Sequence, residues 1–398
     1  MDLESIHIGI EMRVMAGQMT GIGNYSFHLI EALLKDNPEL RFSGFGLTSW
    51  ASLDRTALDR LSAAKESQRA NQPAAGGAVG MKKRLVAALR QSSLAPAIYR
   101  AQFQRTVKRQ SFDIFHAFNF LPFADPGVVT LPVIYDLSFV RFPETHPQER
   151  LRRLEKLPEL LGRTPLVQTI SEFSRNEIAT VFNYPREKIF VAPPAASDIF
   201  RPLGAAAVRP DLAELDIPQD YFLAVGTLEP RKNLRTLIQA FGLLSEADRA
   251  RAPLVVVGGG GWGELDLPPE TDAMRAAGAL RFLGTVSNAQ LRSLYEGAIA
   301  LMFPSIYEGF GMPVVEAMAC GTRVVHSLGT SMDEIADGLA IKVAALDIDA
   351  WAAAFRSLIG SVPTAEASAS LRAQASKFSW HHSAALVRNA YAQLTEAV

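Results

Sequence analysis

The stretch IALMFPSIYEGFGMPVVEAMACG (residues 299–321) decides the fold. Its first five residues, Ile299 to Phe303, are apolar and read as a short buried strand. Pro304 ends it, because proline cannot donate to a central ladder. Pro313 suits the first position of a helix, so Gly309 to Met312 are expected in a loop that points backbone N–H groups into a cleft. Strand, loop and helix in this order place residues 304–312 at the carboxyl end of a strand, where ligands of open α/β sheets bind. Glu308 then falls in the loop and Glu316 in the first helical turn, two carboxylates able to accept hydrogen bonds from the hydroxyls of a sugar and a ribose. Glu316 reads also as an acid complementing the helix dipole; for Glu308 the alternative, a plain surface acid, is weaker.

The same pattern opens at Tyr221 to Val225, a strand followed by the loop GTLEPRKN (226–233) and a helix with Leu234, Leu237, Ile238, Phe241 and Leu244 on one face. In that loop Arg231 and Lys232 can act with helix N-terminal amides on a diphosphate, although alone they would pass for solvated surface cations. Runs at Leu254 to Val257 and Leu280 to Leu283 continue the alternation. Upstream, a strand from Ile6 to Ile10, a glycine loop through Gly17, Gly21 and Gly23 and a helix from about Asn24 to Lys35 make another such opening. Strands follow at Phe112 to Phe115, Val128 to Tyr135 and Leu166 to Ile170, with Ser171 as the N-cap of the next helix.

Alternating strands and helices in each half predict an α/β protein of two doubly wound, Rossmann-like domains. A length of 398 residues suits two cores. The proline-rich stretch through Pro193, Pro194, Pro202, Pro210 and Pro218 reads as the hinge, which gives domains over 1–200 and 201–378. Residues 379–398 form a terminal helix that packs back on the first domain.

With 40 basic and 41 acidic residues the chain has no global field for nucleic acid. A single cysteine, Cys320, excludes an intrachain disulfide. The start MDLESIHIGIEM lacks the basic and apolar regions of an export signal, and no apolar run approaches the roughly 18 residues of a membrane span. A cytoplasmic protein is expected, at most peripheral on the membrane's inner face. The segment that bears on the membrane is 81–110, with eight basic residues, no acid and interleaved apolar ones. It reads either as a surface for anionic lipid headgroups or as a solvated helix face with its apolar side in the core.

Glu308 and Glu316, with seven residues between them, combine with EPRKN (229–233), TGIGNY (20–25), DLSF (136–139) and FSW (378–380) into a pattern that resembles the large retaining glycosyltransferase family 4 over most of the chain. The resemblance implies the GT-B fold, two Rossmann-like domains facing across a cleft. It implies a nucleotide diphosphate sugar as donor, with Glu308 on the transferred sugar, Glu316 on the ribose, and Lys232 with Arg231 on the diphosphate. Gly21 and Gly23 would approach the phosphates, and backbone amides at Phe310, Gly311 and Met312 would complete the pocket. Asp136 joins Glu308 as a catalytic candidate. His116, Asn119 and Tyr135 are candidates for the acceptor side. Transfer with retention and without a metal or other cofactor is implied, of a hexose, mannose foremost, to a glycan or lipid-linked acceptor in envelope or exopolysaccharide synthesis. Two positions depart from the family: Tyr135 stands where many relatives have histidine, and Thr227 where some have arginine.

Other readings are weaker. Gly258, Gly260 and Gly263 match a dinucleotide fingerprint, but Pro268 and Pro269 interrupt the helix it needs and no acid ends the next strand, so a tight loop on the cleft rim is expected. Asp347 and Asp349 form a metal-site-like pair that reads better as a helix cap. A hydrolase using Glu308 and Glu316 leaves the Arg231–Lys232 loop unexplained. A non-catalytic nucleotide-sugar-binding or membrane-scaffold relative is the alternative from another class.

Overall fold

The computed structural model describes residues 6–15, 21–46, 49–61, 95–261 and 266–396. Residues 81–94 of the basic stretch, Gly17 and Gly263 lie outside them.

In the amino-terminal half the strands are β1 (His7–Glu11), β2 (Arg41–Phe45), β3 (Trp50–Ser52), β4 (Ile114–Ala117), β5 (Val129–Pro132), β6 (Val167–Thr169) and β7 (Ile189–Val191). They order as β3-β2-β1-β4-β5, with β6 and β7 as a separate pair joined to the end of β5 by a bridge between Val133 and Gln168. All pairings are parallel except β2 with β3, which lies at the edge. The carboxyl-terminal half uses β8 (Phe222–Val225), β9 (Leu254–Val257), β10 (Leu280–Gly284), β11 (Ala300–Phe303), β12 (Val324–Ser327) and β13 (Ile341–Val343), ordered β10-β9-β8-β11-β12-β13 and parallel throughout. Each half thus has a first strand whose two neighbours are reached in opposite directions. The crevice at that switch point is where such sheets bind ligands.

The four-residue strands β9 and β11 are apolar at every position because both faces are covered by helices, as expected of a parallel sheet. Ser171 caps the helix Glu172–Phe182 as the sequence predicts, its Oγ accepting the Ser174 N–H at 3.0 Å. Asp347 likewise caps the helix Ile348–Leu358, accepting from Ala350 at 2.9 Å. Pro210, read as part of a helix-breaking hinge, lies instead inside the helix Ala205–Glu214. That helix packs on the helix Asn288–Gly297, and the packing outweighs the missing hydrogen bond.

The last helix, Trp380–Glu396, crosses to the amino-terminal half and packs along the helix Gly21–Asp36. Its Tyr391 hydroxyl meets His116 Nδ1 at 2.6 Å, and His381 pairs with Asp36 at 2.6 Å. In the helix Ala95–Val107, Tyr99 and Phe103 pack into an aromatic core with Phe45 and Phe115, while Arg100 and Arg105 face solvent. In this described part of the basic stretch Tyr99, Phe103 and Val107 lie in the protein, while Ile98 is 53% exposed.

Candidate functional site

The loops after β8 and β11 meet at the switch point of the carboxyl-terminal sheet. After β8 the chain makes a short 3-10 turn, Pro230–Lys232, closed by Asn233 in the left-handed region at φ 59°. The Asn233 side-chain amide donates to the carbonyls of Pro304, at 3.1 Å, and Ala345, at 2.6 Å, and its oxygen accepts from Thr236 at 2.7 Å. One asparagine therefore ties the Arg231–Lys232 turn to the end of β11. The Ile306 N–H adds a bond to the Arg231 carbonyl at 2.9 Å.

Glu308, 7% exposed, is held between two cations. Lys232 Nζ donates to one carboxylate oxygen and Arg231 to the other at 3.3 Å. Burial alone would push the carboxyl up, but Lys232 and Arg231 overcome that and hold it at about 2. Arg231 also donates to the buried Glu229 at 3.0 Å and to the Tyr307 carbonyl at 3.2 Å. Burial would lower its guanidinium, yet Glu308, Asp136 and Glu229 together raise it. Glu316 is governed differently. Burial pushes its carboxyl up to about 7, offset only in part by the Tyr295 hydroxyl, which donates to it at 2.9 Å. The two glutamates read from one motif are thus an ionised carboxylate and one poised near neutrality.

The helix after the motif begins at Met312, preceded by Gly311 at φ 109° and ψ 57°. Pro313 is its second residue and Glu316 its fifth, so Met312 leaves the expected loop and Glu316 lies past the first turn, reached by Tyr295 from a neighbouring helix. Phe310 is 3% exposed and packs edge-on against Phe378 at 5.3 Å, so its backbone is what it can offer a ligand. Ser331 Oγ donates to the carbonyls of Glu308 and Phe310 at 2.9 and 2.7 Å, fixing the loop.

The amino-terminal half closes on this loop. A Cβ on Gly309 would lie 2.3 Å from the Tyr135 carbonyl oxygen and 2.9 Å from Asp136 Cβ, so only glycine permits the approach. The Tyr307 hydroxyl accepts the Leu137 N–H at 3.0 Å. Asp136 accepts from the backbone and hydroxyl of Ser138 at 2.9 and 2.7 Å, and His146 Nε2 lies 3.1 Å from that hydroxyl.

The remaining predicted residues are placed less simply. Gly21 and Gly23 form the first turn of the helix Gly21–Asp36 and not a loop, because the helix starts three residues earlier than its apolar pattern suggests. His116 is fully buried, stacked on Phe118 at 3.9 Å and bonded to Tyr391, and burial holds it down at about 3; it serves the core and does not face an acceptor. Tyr135 is 6% exposed, and its hydroxyl donates to the Phe118 carbonyl at 2.9 Å, so this side chain too is turned inward. Asn119 offers its carbonyl to Arg153 at 3.1 Å. Gly258 explains part of the glycine run: a Cβ there would lie 1.8 Å from the Gly226 carbonyl oxygen, so it lets the loops after β8 and β9 touch. Sequence reading missed Tyr295, His146 and Arg150, which lie on helices or turns with no motif spacing to either glutamate. Arg150 is in electrostatic reach of Asp136, Arg231 and Glu229.

Residues 213–377 match the family described as Glycosyl transferases group 1. The O-antigen chain mannosyltransferase B of Escherichia coli is 35% identical over 384 residues, 94% of this chain and 96% of that relative. Two solved structures share the architecture at 18% identity: sucrose-phosphate synthase from Thermosynechococcus elongatus, with a TM-score of 0.68 over 99% of this chain and 100% of that one, and Anabaena HepE in complex with UDP and glucose, with 0.67 over 97% and 99%. The two facing sheets are the GT-B fold. A relative matched from end to end, a family match across the half that holds Arg231, Lys232, Glu308 and Glu316, and that shared architecture converge: this chain belongs to the group 1 glycosyl transferases.

Proposed function

We infer that the protein transfers a hexose, mannose foremost, from a nucleotide diphosphate sugar to a glycan or lipid-linked acceptor in cell-envelope polysaccharide synthesis, with retention of configuration. The observation that carries this reading is the buried group of Lys232, Arg231 and Glu308 at the carboxyl ends of β8 and β11, facing Asp136 across the cleft. The likeness to an O-antigen mannosyltransferase along the whole chain supports the choice of sugar and pathway class.

In this reading Lys232 and Arg231 stabilise the diphosphate as negative charge develops on it, work that a metal does in other transferases, and no metal is required. Amides at Phe310, Gly311 and Met312 and the first-turn amides at Gly21 and Gly23 add donors. Glu308, kept ionised by its two cations, accepts hydroxyls of the transferred sugar, and Glu316 with Tyr295 takes the ribose. No side chain is assigned as a covalent nucleophile; acceptor attack occurs on the face from which the diphosphate leaves, and a phosphate oxygen takes the acceptor proton. Asp136 orients the acceptor side through Ser138. Among the described residues no helix is long and apolar enough to cross a membrane; work at the inner membrane face would be peripheral.

The test is release of nucleoside diphosphate from GDP-mannose, UDP-glucose and UDP-N-acetylglucosamine in chelator, with and without a lipid extract, followed by NMR of the anomeric product. Release from one donor with an α-linked product from an α-linked donor is expected. Nucleotide binding without release from any donor would favour the non-catalytic relative.

A further inference from the structure

The switch point of the amino-terminal sheet carries its own cluster of cations. Arg13 lies in the 3-10 turn Met12–Met15 directly after β1, Arg100 on the helix Ala95–Val107, and Arg150 and Arg153 on the helix Gln148–Leu154. The guanidinium carbons of Arg13, Arg153 and Arg100 lie 4.5, 5.4 and 6.0 Å from the centre of one ring, that of Phe123 in the loop after β4. Arg150 lies 5.7 Å from the Phe120 ring in the same loop. Arg13, Arg150 and Arg100 all act on Arg153 through space. Among the described residues none of the four makes an ion pair with a carboxylate.

The acid in reach of Arg13 and Arg153 is Glu11, which is 5% exposed and spends one oxygen on the Phe123 N–H. Burial pushes its carboxyl up to about 7, so near neutrality it carries only part of a charge against the cluster. Arg153 is aimed by the carbonyls of Asn119 and Leu121. Asp136 and Glu229 act on Arg150 only from a distance and Glu11 on Arg153; guanidiniums held together without a paired carboxylate repel one another, and a multivalent anion relieves that repulsion with charge-assisted, bidentate hydrogen bonds. The donor's diphosphate already has Arg231 and Lys232 on the opposite wall. Arg150, which feels both Asp136 and Arg231, marks the cluster as continuous with the reacting centre.

We propose that Arg13, Arg100, Arg150 and Arg153, grouped around Phe123 and Phe120, bind a phosphate or diphosphate carried by the acceptor, so that the acceptor is an anionic, phosphate-linked glycan. The assignment rests on the transferase reading above, deepens its acceptor side, and is testable apart from it.

Inorganic pyrophosphate is titrated calorimetrically into protein saturated with GDP, so that the Arg231–Lys232 loop is occupied. Arg13 and Arg100 face solvent, so the Arg13→Gln/Arg100→Gln variant keeps its fold and its GDP affinity. Pyrophosphate binding is expected to weaken about tenfold or more in it; equal binding in both proteins overturns the site. This arm needs no turnover, so it stands even where every donor fails. With the active donor, wild type is expected to show a KM about tenfold lower for mannosyl decyl diphosphate than for decyl mannoside, and the variant to lose that preference. A variant that keeps the preference but no longer sediments with phosphatidylglycerol vesicles would make the cluster a membrane contact and overturn the acceptor assignment.

Discussion

Glu334, in the carboxyl-terminal half, accepts the backbone N–H of Phe173, in the amino-terminal half, at 2.9 Å, and its other oxygen accepts that of Glu172 at 3.0 Å. With Ser171 Oγ on the Ser174 N–H, the first turn of the helix Glu172–Phe182 has its free donors shared between its own cap and the opposing half. This contact lies beside the loop in which Ser174 Oγ bonds the Tyr135 and Gly309 carbonyls at 2.9 and 3.3 Å. Glu334→Ala is therefore expected to cost about 1–2 kcal/mol in urea unfolding, as lost helix caps do, and to increase the radius of gyration measured by small-angle scattering as the halves separate. An unchanged radius would show that Glu334 caps the helix without helping to hold the cleft closed.

Glu308 is paired with Lys232 and Arg231, and its folded-state value of about 2 lies below the ordinary 4.5. A depressed carboxyl contributes stability that is present above about 4.5 and lost as pH falls towards 2. The stability difference between wild type and Glu308→Gln should shrink over that acid range and stay constant around neutrality. At neutral pH the same variant, and Lys232→Ala, should lower transfer by about 100-fold or more while remaining folded by circular dichroism. Near-wild-type turnover in both would remove these residues from the donor site.

Glu316 behaves with the opposite sign. Its folded-state value of about 7 lies above the ordinary 4.5, so its contribution to stability is full below that ordinary value and lost as pH rises through about 7. Glu316→Gln should gain thermal stability relative to wild type at alkaline pH. Ribose hydroxyls favour the ionised carboxylate, so nucleoside diphosphate affinity in wild type should rise through the same range, and calorimetry on Glu316→Gln should show that component gone.

Gly309 and Gly21 make a controlled pair. A methyl group on Gly309 would collide with the Tyr135 carbonyl, whereas one on Gly21 would meet no heavy atom within 4 Å. Gly309→Ala should destabilise by about 2 kcal/mol or more and depress transfer, because the halves must move apart to admit it. Gly21→Ala should be neutral or slightly stabilising in thermal unfolding, since alanine suits a helical turn.

The donor side was legible because its residues are local. Strand, loop and helix follow one another within 299–321 and again within 221–244, and apolar runs bounded by glycine and proline mark them. Strands β2, β3, β7, β12 and β13 were not read: all are five residues or shorter, and their local patterns do not set them apart from loop. The acceptor side was misread at His116, because β4 runs on through it to Ala117 and a polar residue near a strand's end looks alike whether it faces a cleft or a core.

The sequence by itself determined the two parallel sheets, the cap at Ser171 and the placing of Arg231, Lys232 and Glu308 at strand ends, all consequences of periodicity and of proline and glycine at fixed offsets. Tertiary structure alone decided the charge state of each glutamate, because that depends on neighbours far along the chain: Lys232 and Arg231 lie 76 and 77 residues from Glu308, and Tyr295 lies 21 from Glu316. It also decided that Gly309 meets Tyr135, that Glu334 meets Phe173, and that four arginines from three separate segments converge on Phe123 and Phe120. Coulomb energy and desolvation depend on distance in space, and separation along the chain does not encode it.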